Sequence, residues 1–151
     1  ASWRIGYAAF PKHLLESFKK IQDTNVICPA VISQHAALAA LMVGRNYCQP
    51  YVEEMAAVRR SVLDVLSVLG DGIRVVEPTG AFYVFIELPK SALSDMALVH
   101  QLIEDYQVAV VPGRAFGVSD RCCLRVSYGA LQSRDVLNGM DRLVNGLGQL
   151  I

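Results

Sequence analysis

The feature that most constrains this chain is a change of hydrophobic period, repeated in a set order from about residue 53 onward. Apolar residues recur first at helical spacing, then at strand spacing, in the order helix, strand, strand, helix, strand, strand, helix. Phe82 to Leu88 is the clearest strand, with Phe82, Val84, Ile86 and Leu88 on one face and Tyr83, Phe85 and Glu87 on the other. Tyr51 to Leu69, opened by Pro50, carries a stripe of Tyr51, Met55, Val58, Val62, Val65 or Leu66, and Leu69, while Glu53, Glu54, Arg59, Arg60 and Asp64 face water. Gly70-Asp71-Gly72 stops that helix, and Ile73 to Glu77 reads as a strand before a turn at Pro78-Thr79-Gly80. Ser94 is placed to cap a helix over Asp95 to Tyr106. Gln107 to Val111 and Cys122 to Tyr128 read as further strands. Ser133 caps a last helix with the stripe Val136, Leu137, Met140, Leu143, Val144 and Leu147. Such an order predicts an α+β fold: a small mixed or antiparallel sheet of about four strands with helices laid on one face.

The first 50 residues fit that layer poorly. Ser2 to Phe10 is short, apolar and β-prone, and would be a lone strand without a neighbour. Pro11 opens a helix with Leu14, Leu15, Phe18 and Ile21 on its apolar side and Lys12, Glu16, Lys19, Lys20 and Asp23 on its wet side. Pro29 starts a second helix to about Val43, rich in alanine, which Gly44 ends. The pattern thus sets these residues apart from the layer that begins at about residue 53. No repeat or low-complexity tract appears.

Lys and Arg number 14 and Asp and Glu 14, so net charge is zero, and there is no basic run. That argues against nucleic acid or an anionic membrane as the main partner. No apolar stretch reaches the roughly 18 residues of a membrane span, and the first residues lack a signal-peptide pattern. The four cysteines, Cys28, Cys48, Cys122 and Cys123, form no CxxC pair. They are read as reduced, partly buried thiols of a cytoplasmic protein.

Few residues stand where chemistry needs them. The lysines are Lys12, Lys19 and Lys20, on a wet helix face, and Lys90, in a loop after Pro89. A nucleophilic lysine must be desolvated or lie beside another cation, so no catalytic residue is assigned. His13, His35 and His100 fall on separate helices without metal-ligand spacing, so no metal site is assigned. Gly113-Arg114-Ala115-Phe116-Gly117 is read as a plain turn. Two arginines stand out in apolar strands: Arg4 between Trp3 and Ile5, and Arg125 between Leu124 and Val126. A guanidinium there either points to solvent or binds an anion with its flat fork.

At these arginines the sequence resembles a known family. Trp3-Arg4-Ile5-Gly6-Tyr7 is similar to the GWRIGY segment of the class I/II aminotransferases, fold-type I enzymes that use pyridoxal 5′-phosphate (PLP). The likeness continues, in order, through Cys28-Pro29 to Gln34-His35-Ala36-Ala37, Glu77-Pro78-Thr79-Gly80-Ala81-Phe82-Tyr83, Val110-Val111-Pro112-Gly113 with Phe116-Gly117, and Leu124-Arg125-Val126-Ser127-Tyr128.

The resemblance implies that Arg4 holds the PLP phosphate and Arg125 the substrate α-carboxylate, both as buried guanidinium groups. It implies an amino acid and a 2-oxo acid as substrates, and a homodimer or higher oligomer. The family's Schiff-base lysine lies upstream of the WRIGY arginine, before Ala1. The chain is thus expected to be the C-terminal part of an aminotransferase, 1–52 a remnant of its large domain, and inactive alone. Trp3, Ile5, Tyr7 and the alanine-rich helix are expected to be exposed. Two other readings are a fold-type I lyase or decarboxylase, and a non-enzymatic ligand-binding or dimerisation domain.

Overall fold

The computed structural model describes residues 3–89 and 93–151. Ser2 and Lys90 lie outside the described residues. The chain divides into two compact units, Ala1–Pro50 and Tyr51–Ile151.

The second unit is the α+β layer that the periodicity predicts. Its elements are α3 (Gln49–Leu66, from Tyr51 on in this unit), β1 (Arg74–Val76), β2 (Tyr83–Glu87), α4 (Asp95–Tyr106), β3 (Val111–Pro112), β4 (Cys123–Ser127) and α5 (Ser133–Leu150). The strands form one sheet in the order β1-β2-β4-β3, antiparallel throughout. Alternation in β2 and β4 sends Val84, Ile86, Leu124 and Val126 to one side, where Val62 and Leu66 of α3, Leu98 and Leu102 of α4, and Leu143 and Leu147 of α5 bury against them. Each such side chain, fully buried, contributes about 1.5–3 kcal/mol. The other side of the sheet carries Tyr83, Phe85, Glu87, Arg125 and Ser127.

Local chemistry explains the element ends. The Ser94 hydroxyl accepts the Ala97 amide at 3.2 Å, the predicted cap. Ser133 is not a cap: it is the first residue of α5, and Gln132 takes the cap position without a side-chain bond. The strand expected over Gln107 to Val111 shrinks to Val111–Pro112. Gln107 turns left-handed (φ 56°) and the Gln107 and Val108 amides bond back to Ile103 and Leu102 of α4, so they cannot join a ladder. Val108 and Val110 still point into the core. Arg59, expected in water, is half-buried and donates from Nη1 to the Pro78 carbonyl at 3.0 Å, bracing the β1–β2 turn.

The first unit holds a one-turn 3₁₀ segment (Lys12–Leu14), α1 (Leu15–Asn25) and α2 (Val31–Val43). Gly44, at φ 83°, ends α2 as the sequence predicts. The strand expected over Ser2 to Phe10 is not present among its described residues, 3–10; Arg4 adopts φ 48°, which breaks an extended run. Among the unit's described residues no hydrophobic side chain is buried: the α1 stripe of Leu14, Leu15, Phe18 and Ile21 is exposed, as are Trp3, Tyr7 and much of α2. The exposure of Trp3, Tyr7 and the alanine-rich helix matches expectation, with Ile5 half-buried. Among the described residues no helix is long and apolar enough to cross a membrane.

Candidate functional site

The site of the second unit is built around Arg125 in the middle of β4. Its neighbours Leu124 and Val126 are core residues, so the pleat turns Arg125 to the open side of the sheet. Phe85 of β2 lies opposite it on one flank and Val111 of β3 on the other. The guanidinium carbon sits 4.4 Å from the centre of the Tyr83 ring and 4.7 Å from that of Phe116. Phe116 in turn meets Phe85 edge-on at 6.3 Å. Each cation–π contact contributes about 0.5–2 kcal/mol.

Phe116 reaches this place because the segment Gly113–Phe116 forms a 3₁₀ turn over the sheet. Gly113 makes the approach possible: a Cβ there would lie 2.7 Å from Cys123 Cβ and 3.2 Å from the Cys123 carbonyl oxygen. Gly117, at φ 81°, closes the turn. Arg114 anchors it to the start of α4. Its Nε donates to Asp95 Oδ1 at 2.6 Å, its backbone N–H donates to Oδ2 at 3.2 Å, and Nη2 lies 2.6 Å from Oδ1. Asp95 itself is buried.

Two aromatic rings cover the guanidinium of Arg125, which leaves its edge for hydrogen bonding. Its Nε is buried and has no hydrogen-bond partner. A donor left so costs about 1–3 kcal/mol. A flat carboxylate is the group that a guanidinium fork pairs with best. Glu87, on the same side of the sheet, is already paired to Arg74 at 3.1 Å and to Arg121 at 3.6 Å.

In the first unit Arg4 is exposed rather than buried, and it lies outside any strand. It lines an open hollow of about 930 Å³ with Trp3, Ile5, Gly6, Ala36, Ala37, Ala40 and Cys48. The small alanines leave room beside its charge. Among the described residues no lysine lines this hollow; Lys12, Lys19 and Lys20 are exposed, with Lys19 paired to Glu16 at 3.3 Å.

All four thiols are free. Cys28 and Cys48 are exposed, not partly buried as expected; burial pushes the Cys122 and Cys123 thiols up from their ordinary value. His13, His35 and His100 are exposed. Among the described residues no three His, Cys, Asp or Glu gather as a metal site.

Arg125 stands out in the sequence as a charge between core residues, whereas nothing local marks Tyr83, Phe116, Arg114 and Asp95 as its surroundings. The alternation of Phe82–Leu88 already put Tyr83 off the core face, and the β2–β4 register was the missing link. The turn Gly113–Gly117, dismissed as a plain turn, supplies the second ring.

An α+β layer with a caged, unpaired guanidinium on its open side is thus the class of domain that the coordinates define. The family model for class I and II aminotransferases matches residues 1–143. An aspartate aminotransferase of Pyrococcus abyssi is 34% identical over 143 residues, which cover 93% of this chain and 36% of that protein. A bifunctional aspartate and glutamate/aspartate-prephenate aminotransferase of Petunia hybrida is 36% identical over 140 residues, covering 85% of this chain and 29% of that protein. The crystal structure of the aspartate aminotransferase of Rhizobium meliloti superposes with a TM-score of 0.74 at 31% identity, over 99% of this chain and 39% of that one. The chain belongs to the class I and II aminotransferase family. It spans about a third of the length of the curated relatives it matches.

Proposed function

We propose that this chain is the C-terminal part of a cytoplasmic PLP-dependent aminotransferase, which moves an amino group between an amino acid and a 2-oxo acid. Residues 1–52 continue its large, cofactor-binding domain and residues 53–151 form its small domain. Arg125 binds the substrate α-carboxylate, and Arg4 the phosphate of PLP.

The observation that carries this reading is the Arg125 guanidinium, held against the Tyr83 and Phe116 rings and without an ion-pair partner among the described residues. Its fork matches a flat carboxylate. Arg4 beside Ala36 and Ala37 offers a charge and space that suit a phosphate. The bound cofactor supplies an electron-accepting ring. The chain's own contribution is binding and orientation: Arg125 fixes the carboxylate end of the substrate, and the Tyr83 and Phe116 rings hold that guanidinium flat and shield it from water. The free thiols suit a reducing compartment.

Alone, the chain does not catalyse the reaction. Amino-group transfer needs a desolvated lysine, and the lysines among the described residues, Lys12, Lys19 and Lys20, are hydrated on one helical stretch. The protein works as a homodimer or larger assembly, a reading that the uncovered apolar side chains of the first unit support.

Two experiments test the proposal. Titration with acetate, followed through the Arg125 Nε–H resonance, is expected to shift that signal and saturate; no shift overturns the assigned role. Incubation with PLP and then borohydride is expected to label no lysine stably and to show no turnover of an amino acid with a 2-oxo acid. A stably labelled lysine overturns the inactivity.

A further inference from the structure

The half-buried ion pair at the start of α4 is linked to the Arg125 guanidinium through a short covalent path. Asp95 accepts two N–H groups of Arg114 and the Met96 amide at 2.9 Å, and its Oδ1 lies 2.6 Å from Arg114 Nη2. Arg114 is two residues from Phe116, inside the same 3₁₀ turn. The Phe116 ring is half in water, so packing alone holds it weakly. Its position over Arg125 depends on the turn, and the turn depends on the Arg114–Asp95 pair and the Gly113–Cys123 contact.

We propose that Asp95 and Arg114 are positioning residues for carboxylate recognition: their pair sets the Phe116 ring against Arg125 and so keeps the guanidinium edge turned to the ligand. This deepens the reading of Arg125 as the carboxylate site and rests on it. Neither residue touches the ligand. Asp95 positions the turn by charge and geometry together, since its buried carboxylate takes both the side chain and the backbone amide of Arg114.

The test uses the whole chain, its Arg125 Nε–H resonance and acetate as probe. Phe116→Leu removes the ring current and defines the signal position without it. Asp95→Asn is expected to move the free-state resonance most of the way to that position and to weaken acetate binding by about three- to thirtyfold, the range of one cation–π contact. The double variant is expected to bind no worse than Phe116→Leu alone. Arg114→Gln, at a half-exposed side chain, gives the same result should Asp95→Asn fail to fold. A resonance left at the wild-type position in these variants overturns the inference, whether or not acetate binds. Acetate that fails to move the wild-type signal, while Asp95→Asn still displaces it, sinks the carboxylate reading and leaves the ring-positioning role standing.

Discussion

Gly146 of α5 lies so close to Leu102 of α4 that a Cβ on it would come within 2.7 Å of Leu102 Cδ2 and 3.0 Å of Tyr106 Cγ. The two helices meet there over the sheet, and the missing side chain is what lets them close. Gly139, two turns earlier in α5, has nothing within 4 Å of its Cβ position. Gly146→Ala is therefore expected to destabilise the protein by about 1–3 kcal/mol through overpacking. Gly139→Ala is expected to stabilise it by about 0.5–1 kcal/mol through helix propensity. Urea unfolding of both variants checks the opposite signs.

Arg125 is held by two rings but has an unsatisfied Nε, and these effects oppose each other. The orphan donor costs about 1–3 kcal/mol, and the two cation–π contacts return about 0.5–2 kcal/mol each. Arg125→Met keeps a flexible side chain that packs well on aromatic rings. Its stability is expected to stay within about 1 kcal/mol of wild type, while acetate binding disappears. A large loss of stability in urea unfolding would make Arg125 a structural residue instead.

Burial raises the thiols of Cys123 and Cys122 above their ordinary value of 9.0, and the phenol of Tyr128 above 10.0. The unfolded chain loses these protons at the ordinary values while the folded one retains them. Stability is thus full below pH 9 and declines as pH rises beyond it. Thermal melts from pH 7 to pH 11 are expected to show a falling midpoint on the alkaline side, with a shallower fall in Cys123→Val. At pH 8, Cys28 and Cys48 are expected to react with a thiol reagent well before Cys123.

The first unit leaves Phe18, Ile21, Leu38, Leu41 and Met42 in water. Apolar area of that extent drives association. Light scattering at micromolar concentration is expected to show a dimer or larger species. Ile21→Glu with Leu41→Glu is expected to shift it toward monomer without altering the melting of the second unit. A wild-type monomer would count against the assembly.

What the sequence by itself determined was local. Period 2 in Phe82–Leu88, period 3.6 in α4 and α5, the Ser94 cap and the Gly44 stop follow from backbone geometry and nearest neighbours, so the α+β order was legible. The arginine in mid-β4 was legible as a candidate too, because a charge between two core residues must have a reason. Tertiary structure alone decided what surrounds it. The rings of Tyr83 and Phe116 come to Arg125 from other segments, and Asp95 meets Arg114 across nineteen positions, so no local pattern encodes them. The same holds for the α1 stripe: its spacing marks a face that seeks cover, but the second surface that covers such a face is a property of the packed assembly, not of the helix.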